Sequence, residues 1–134
     1  MNSEEWKKMS DEFCRWEKMS RDTIDVKRCY IDIAGDLVAG ILLSQIIYWH
    51  LPNKDGGVKL RVKLRGVLCL AKNRTDWWNE CRITPRQYDR AIEVLKKKDL
   101  VSVKNSMFNG KRTPHIRLNF PILIKAMSEA VSGW

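Results

Sequence analysis

The chain has 134 residues with 44% hydrophobic content, enough for one compact domain with a real core, and this argues against an intrinsically disordered protein. Its formal net charge of +9 is unevenly spread: residues 54–117 hold 17 Lys/Arg against 6 Asp/Glu, a net of +11, while residues 1–53 hold 7 against 9. A surplus gathered into one segment argues against charge kept only for solubility and favours a polyanionic partner, because phosphates carry condensed counterions that a basic face releases.

Residues 3–19 read as an amphipathic helix, with Trp6, Met9, Phe13 and Trp16 recurring at spacings of three and four. The plain expectation is an arm docked on the core. Residues 20–34 carry β-branched residues with some alternation and are expected to be an extended connection. The segment 36–51, "DLVAGILLSQIIYWHL", is apolar nearly all round and predicts a helix buried on several sides by the N-terminal arm, the C-terminal helix or a second subunit. It is too short for a membrane span, and no membrane partner is expected. "VKLRVKLR" at 58–65 alternates without error, with Lys59, Arg61, Lys63 and Arg65 on one face of a predicted strand. That basic row fits a nucleic-acid face and fits equally the charged side of an edge strand. Gly66 permits a turn, and "VLCLA" at 67–71 returns as a second strand.

A short helix is expected from about 75 to 81, with Trp77 and Trp78 both packing its junction with the next helix. That next helix opens on "RITPRQYDR". Thr84 can cap it, Pro85 sits where a missing N–H costs nothing, and the pattern runs to about Lys98. Tyr88, Ala91, Ile92 and Leu95 fill one arc, while Arg86, Arg90, Glu93 and Lys97 fill the opposite one, flanked by Gln87. Arg and Gln can each make paired hydrogen bonds to a base edge, to guanine and adenine respectively. Beyond it, 101–108 and 111–120 predict a hairpin turned by Asn109-Gly110, with Lys111 and Arg112 at the tip. Pro114 is expected to put the return strand at an edge or on a bulge. A last helix is predicted from Pro121 to about Val131.

The sequence carries no phosphate-binding G-x-x-x-x-G-K-[ST] and no G-x-S-x-G, so no enzyme activity is expected. Cys14, Cys29, Cys69 and Cys81 form no C-x-x-C pair, so neither a metal site nor a cofactor is expected. The N-terminus is charged and lacks a secretory pattern, which makes the cytoplasm the expected compartment. His50 is expected in a packed or helix-capping role, and His115 either on phosphate or in solvent.

The order of these elements is that of a winged helix-turn-helix: an α+β, mainly helical fold, here with additional N- and C-terminal helices. The expected division is 1–35 (amphipathic helix and connection), 36–120 (winged helix-turn-helix) and 121–134 (C-terminal helix). Three stretches, "DLVAGILLSQIIYWHLPNKDG", "LAKNRTDWWNECRITPRQYDRAIEVLKKKDLV" and "FNGKRTPHIRL", carry a further likeness. Over roughly residues 30–120 the chain resembles small winged-helix proteins of Gram-positive bacteria, phages and mobile elements, of the replication-initiation or DnaD-like type. The resemblance implies double-stranded DNA binding, with a role in replication initiation, and adds no catalytic residue. Arg86, Gln87 and Arg90 are expected to reach base edges, and Thr84, Lys97, Lys111 and Arg112 to hold phosphates. A homodimer and host replication proteins are further expected partners. The alternatives are a protein-interaction module docking on a host protein and a transcriptional regulator; RNA binding is weaker, since no aromatic stacking motif is present.

Overall fold

The structure, a computed structural model, describes residues 1–133, so the last residue of the expected 121–134 segment lies outside it. It is an α+β chain of six helices and one four-stranded antiparallel sheet. No single helix among the described residues is long and apolar enough to cross a membrane.

Helix α1 (Ser3–Met19) starts where the Asn2 side chain accepts the Glu5 N–H at 2.9 Å, with Glu4 and Glu5 in the first turn and Lys18 in the last, as the helix dipole favours. The expected docking of this arm is absent: every residue of α1 is exposed, and Trp6 and Trp16 are each 57% accessible. The extended connection also needs correcting, because Arg28–Ala34 forms helix α2. Its apolar residues Tyr30, Ile33 and Ala34 fall on one side at helical spacing, packed on the core. The signal for it is "GD" at 35–36. Gly35 ends α2 in the left-handed region at φ 75°, and Asp36 caps the next helix at once, accepting the Ala39 N–H at 3.0 Å.

Helix α3 (Leu37–His50) is the centre of the molecule. Ala39, Leu42, Leu43, Ile46 and Ile47 are buried, and the buried Ser44 hydroxyl is satisfied by donating to the Asp25 carbonyl at 3.0 Å. Its cover comes from α2 on one side and, on the others, from elements further along the chain, not from the N-terminal arm, while Leu37 and Tyr48 stay exposed.

Strands β1 (Val62–Leu64) and β2 (Val67–Ala71) are joined by Arg65 and Gly66, both with positive φ as a two-residue hairpin turn requires. The alternating stretch 58–65 is therefore a strand over three residues alone. β2 pairs it from Leu64↔Val67 to Val62↔Cys69; the chain before Val62 leaves β2, whose Leu70 and Ala71 pair with β4 alone, so nothing holds 58–61 in a ladder. The basic row is broken accordingly: the Lys59 ammonium bonds the Tyr48 carbonyl at 2.8 Å and sits 3.7 Å over that ring. Helices α4 (Trp77–Cys81) and α5 (Pro85–Lys97) follow, then β3 (Val101–Phe108), β4 (Lys111–Leu118) and α6 (Phe120–Ala130). Asn109 and Gly110 take φ 49° and 77°, the turn expected from that pair.

The sheet order is β1-β2-β4-β3, so β4 is an inner strand and the expected edge position of Pro114 is corrected. The Pro114 carbonyl accepts the Lys72 N–H at 3.1 Å, just past the end of β2. An antiparallel residue points its N and its O to the same side, so the missing N–H faces the place where β2 has ended and no ladder bond is lost. The inner face of the sheet places Leu70, Val101, Ile116 and Leu118 against α3 and α5.

The contact between α2 and α3 depends on one missing methyl. A Cβ on Gly40 would lie 2.6 Å from the Ile31 Cα, a backbone atom that cannot swing aside. Gly40→Ala is expected to destabilise the fold by about 1–3 kcal/mol through overpacking, even though Ala is the better helix former. Urea denaturation read by circular dichroism measures this as a lower midpoint at unchanged slope.

Candidate nucleic-acid interface

α4 and α5 are locked together before either can present anything. Trp77 is fully buried and stacks on Tyr88 with ring centroids 5.9 Å apart and planes at 15°. Its neighbour Trp78 is 48% exposed, which corrects the expectation that both pack the junction. Successive residues on a helix diverge by 100°, and the side of α4 that packs on α5 takes Trp77 and not Trp78. A cluster that the sequence reading missed holds α4 on α3. The half-buried Glu80 carboxylate accepts from Trp49 Nε1 at 2.6 Å and Gln45 Nε2 at 3.1 Å, and also from the Lys72 ammonium. Only the tertiary contact reveals it, since these partners lie up to 35 residues away.

The turn between the two helices is Arg82-Ile83-Thr84. Arg82 takes φ 61° and folds its guanidinium back onto the Trp78 and Asn79 carbonyls at 2.7 and 3.2 Å, over the Trp78 ring. Thr84 then caps α5 as expected, its hydroxyl accepting the Gln87 N–H at 3.1 Å, while Gln87 Oε1 accepts the Thr84 N–H at 2.9 Å. This reciprocal capping box occupies both side chains. Gln87 keeps a free amide NH₂, but pairing with adenine through both amide atoms would break the cap.

The outward arc of α5 is as the periodicity predicts. Tyr88, Ala91, Ile92 and Leu95 are buried, and Arg86, Arg90 and Lys97 are exposed. Positions 86, 90 and 97 fall within 40° of one another around the axis, in a stripe about 16 Å long. Both acids on this helix are neutralised. Asp89 is gripped by the Arg74 fork at 3.0 and 2.7 Å, and Glu93 by Lys96 at 2.9 Å. Arg86 and Lys97 have no ion-pair partner among the described residues, and Arg90, 80% exposed, has only the Asp36 carboxylate at 3.8 Å. So long an exposed contact leaves Arg90 essentially available.

Lys111 and Arg112 are exposed at the hairpin tip, where Lys111 is paired with Phe108 and Arg112 with Met107. As successive strand residues they leave opposite faces of the hairpin, so they do not form one cationic surface. The expectation that His115 faces solvent is corrected. His115 is 4% exposed, with Nδ1 2.8 Å from the Thr113 carbonyl and Phe108 edge-on at 6.3 Å. His50 is packed as expected: Nδ1–H donates to the Ile46 carbonyl at 2.8 Å and Nε2 accepts the Leu118 N–H at 3.2 Å. Burial holds its pKa below the usual imidazole value, keeping it the neutral pin between α3 and β4.

The hydrogen bonds from Arg74 hold the Asp89 carboxyl below its ordinary pKa. Its folded value is depressed, so the pair's contribution is full above the ordinary carboxylate range and is lost as pH falls through the folded value. Arg74→Ala is expected to return Asp89 toward the free value of about 3.9. A pH titration of the Asp89 side-chain carboxyl carbon by NMR checks this.

The chain matches no protein-family model, no curated protein and no solved structure.

Proposed function

We propose that this chain is a winged helix-turn-helix module that binds double-stranded DNA through α5, in the replication initiation of a phage or mobile element. The observation that carries this reading is the outward stripe of Arg86, Arg90 and Lys97 on a helix whose own acids are both neutralised. The order α3, β2, α4, a three-residue turn, α5 and a basic-tipped hairpin supports it. In this reading the N-terminal half of α5 enters the major groove, with Arg86 and Arg90 on base edges. Lys97 lies one helical stretch further on, suited to a phosphate. Thr84 and Gln87 act as the cap that orders the entering turn, with the Gln87 amide NH₂ left as a donor. Lys111 and Arg112 reach backbone phosphates from different sides of the wing. The chemistry is binding alone, with no catalytic step and no cofactor.

Dimerisation belongs to the same proposal, but its surface moves. Most of α3 is covered within the protomer, and the exposed apolar stripe offered to a second copy is that of α1, Trp6, Met9, Phe13 and Trp16. Their 3-4-3 spacing is that of a two-helix seam, which makes a second α1 the occupant. A two-fold dimer could present two α5 helices about one duplex turn, ~34–36 Å, apart. Light scattering is expected to give a dimer for the natural chain and a folded monomer for the Trp6→Glu, Phe13→Glu double variant; a monomeric natural chain would remove this part of the proposal.

Binding curves on a preferred and a random duplex test the main reading. Arg86→Ala or Arg90→Ala is expected to cost about 1–3 kcal/mol on the preferred duplex and to relax sequence choice. Lys111→Ala and Arg112→Ala are expected to weaken both duplexes alike and to lower the salt slope by about one unit each. The natural dimer should lose on the order of a thousandfold in affinity between about 50 and 200 mM salt. A nearly flat salt response would count against DNA and favour docking on a protein.

A further inference from the structure

The face of the sheet turned away from α3 and α5 has a chemistry of its own. Direct cross-strand partners share a face, and the register sets Ser102 beside Arg117 and Lys104 beside His115. β2 continues both rows: Ala71 pairs with His115, and one step along the same register Cys69 comes opposite Arg117. Beside them the β1–β2 turn brings Arg65 over the same area, and the groups enclose a pocket of about 240 Å³. Its floor is apolar, made by Leu64, Val67 and the buried Cys69. His115, nearly fully buried, forms part of the wall.

Three cations therefore surround one small concavity. None of Arg65, Lys104 and Arg117 has an ion-pair or side-chain hydrogen-bond partner among the described residues, in contrast to Lys72, Arg74 and Lys96. The strand positions on this face supply no carboxylate: β1 and β2 contribute Val62, Leu64, Val67, Cys69 and Ala71, and β3 and β4 add only neutral side chains, His115 and further cations. Lys104 and Arg117 are diagonal neighbours on adjacent strands, and like charges so placed repel unless something negative lies between them. Cations kept merely for solubility sit on convex surface over water. These sit around an apolar-floored hollow, where a bound anion is partly desolvated and each contact strengthened.

The geometry points to this pocket as a binding site for the phosphate of a nucleotide-like ligand, with the phosphate between Arg65, Lys104 and Arg117 and a flat ring on the Leu64–Val67–Cys69 floor. Arginine forks match phosphate oxygens in pairs, and the Ser102 hydroxyl adds a donor. At ~30 Å³ per water the hollow holds about eight waters, room for a phosphate and one ring but below the ~300 Å³ at which drug-sized pockets begin. The site lies across the sheet from the α5 stripe and does not depend on duplex binding there. The phosphate can come from a free mononucleotide or from a nucleic-acid chain.

The test is an NMR titration of the full chain with inorganic phosphate, thymidine monophosphate and the dinucleotide d(TpT), at constant ionic strength set by chloride. Saturable shifts at Arg117, Lys104 and His115 are expected, with a phosphate Kd of about 1 mM, and tighter binding of the monophosphate than of phosphate itself. Lys104→Ala with Arg117→Ala is expected to weaken binding at least about tenfold, whereas Arg86→Ala should leave it unchanged. Both pocket side chains are exposed, so the double variant keeps its fold, which its spectrum will show. Monophosphate binding tighter than d(TpT) identifies a free nucleotide as the source, and the reverse order identifies a chain; either supports the site. No saturation by about 20 mM phosphate, or unchanged binding in the double variant, overturns it. Monophosphate binding no tighter than phosphate overturns the ring seat.

Discussion

Helix α3 has apolar side chains on every side, and burying most of them, Ala39, Leu42, Leu43, Ile46 and Ile47 above all, is the constraint from which the rest of the arrangement follows. Gly40 admits the α2 backbone on one flank, α5 lays Tyr88, Ala91, Ile92 and Leu95 toward the core, and Leu70, Ile116 and Leu118 close it from the sheet. The polar groups at the margins of α3 find partners: Ser44 on Asp25, His50 on Ile46 and Leu118, Gln45 and Trp49 on Glu80, whereas the buried Trp77 indole N–H has none among the described residues. Each unpaired buried polar group would cost about 1–3 kcal/mol, so these bonds also fix the angles at which the elements meet.

The outward face of α5 is a consequence of that burial. Fully burying a side chain such as Ile92 or Leu95 is worth about 1.5–3 kcal/mol, while an exposed ion pair such as Arg90 with Asp36 is worth about 0–1. Packing therefore sets the rotation of the helix, and the charged stripe goes where the apolar arc leaves it. The capping box at Thr84 and Gln87 and the Trp77–Tyr88 stack fix where α5 begins and how α4 meets it. Among the uncommitted cationic side chains, Arg86, Arg90 and Lys97 form this stripe, and Arg65, Lys104 and Arg117 gather on the outer face of the sheet. Two of the basic surfaces are thus separated by the core, and Lys111 and Arg112, adjacent in sequence, belong to opposite sides of the hairpin.

Much of this was legible in the sequence. The α5 arc, the Asn109-Gly110 turn, the Thr84 cap and the all-apolar character of α3 follow from period, turn chemistry and capping, which are local properties. The misreadings share a cause. The strand at 58–65 was cut to three residues because a ladder needs a partner, and the chain before Val62 does not follow β2, Lys59 being held instead at the end of α3. Helix α2 was hidden because seven residues are too few for a periodic signal, although Gly35-Asp36 marked its end. Trp77 and Trp78 look identical in sequence, and only the packing of α4 separates them.

By itself the sequence determined which segments are helical or extended over long periodic runs, where the tight turns fall, and that the basic charge is gathered in residues 54–117. Those are set by backbone sterics, side-chain period and composition, all readable within a few residues. Only the tertiary structure decided which charges are free. Arg74 and Lys72 are spent on Asp89 and Glu80, Lys59 on the end of α3, and Gln87 on its own helix. It alone brought Arg65, Lys104 and Arg117 around one hollow, because strand register joins residues about fifty positions apart that no local pattern connects.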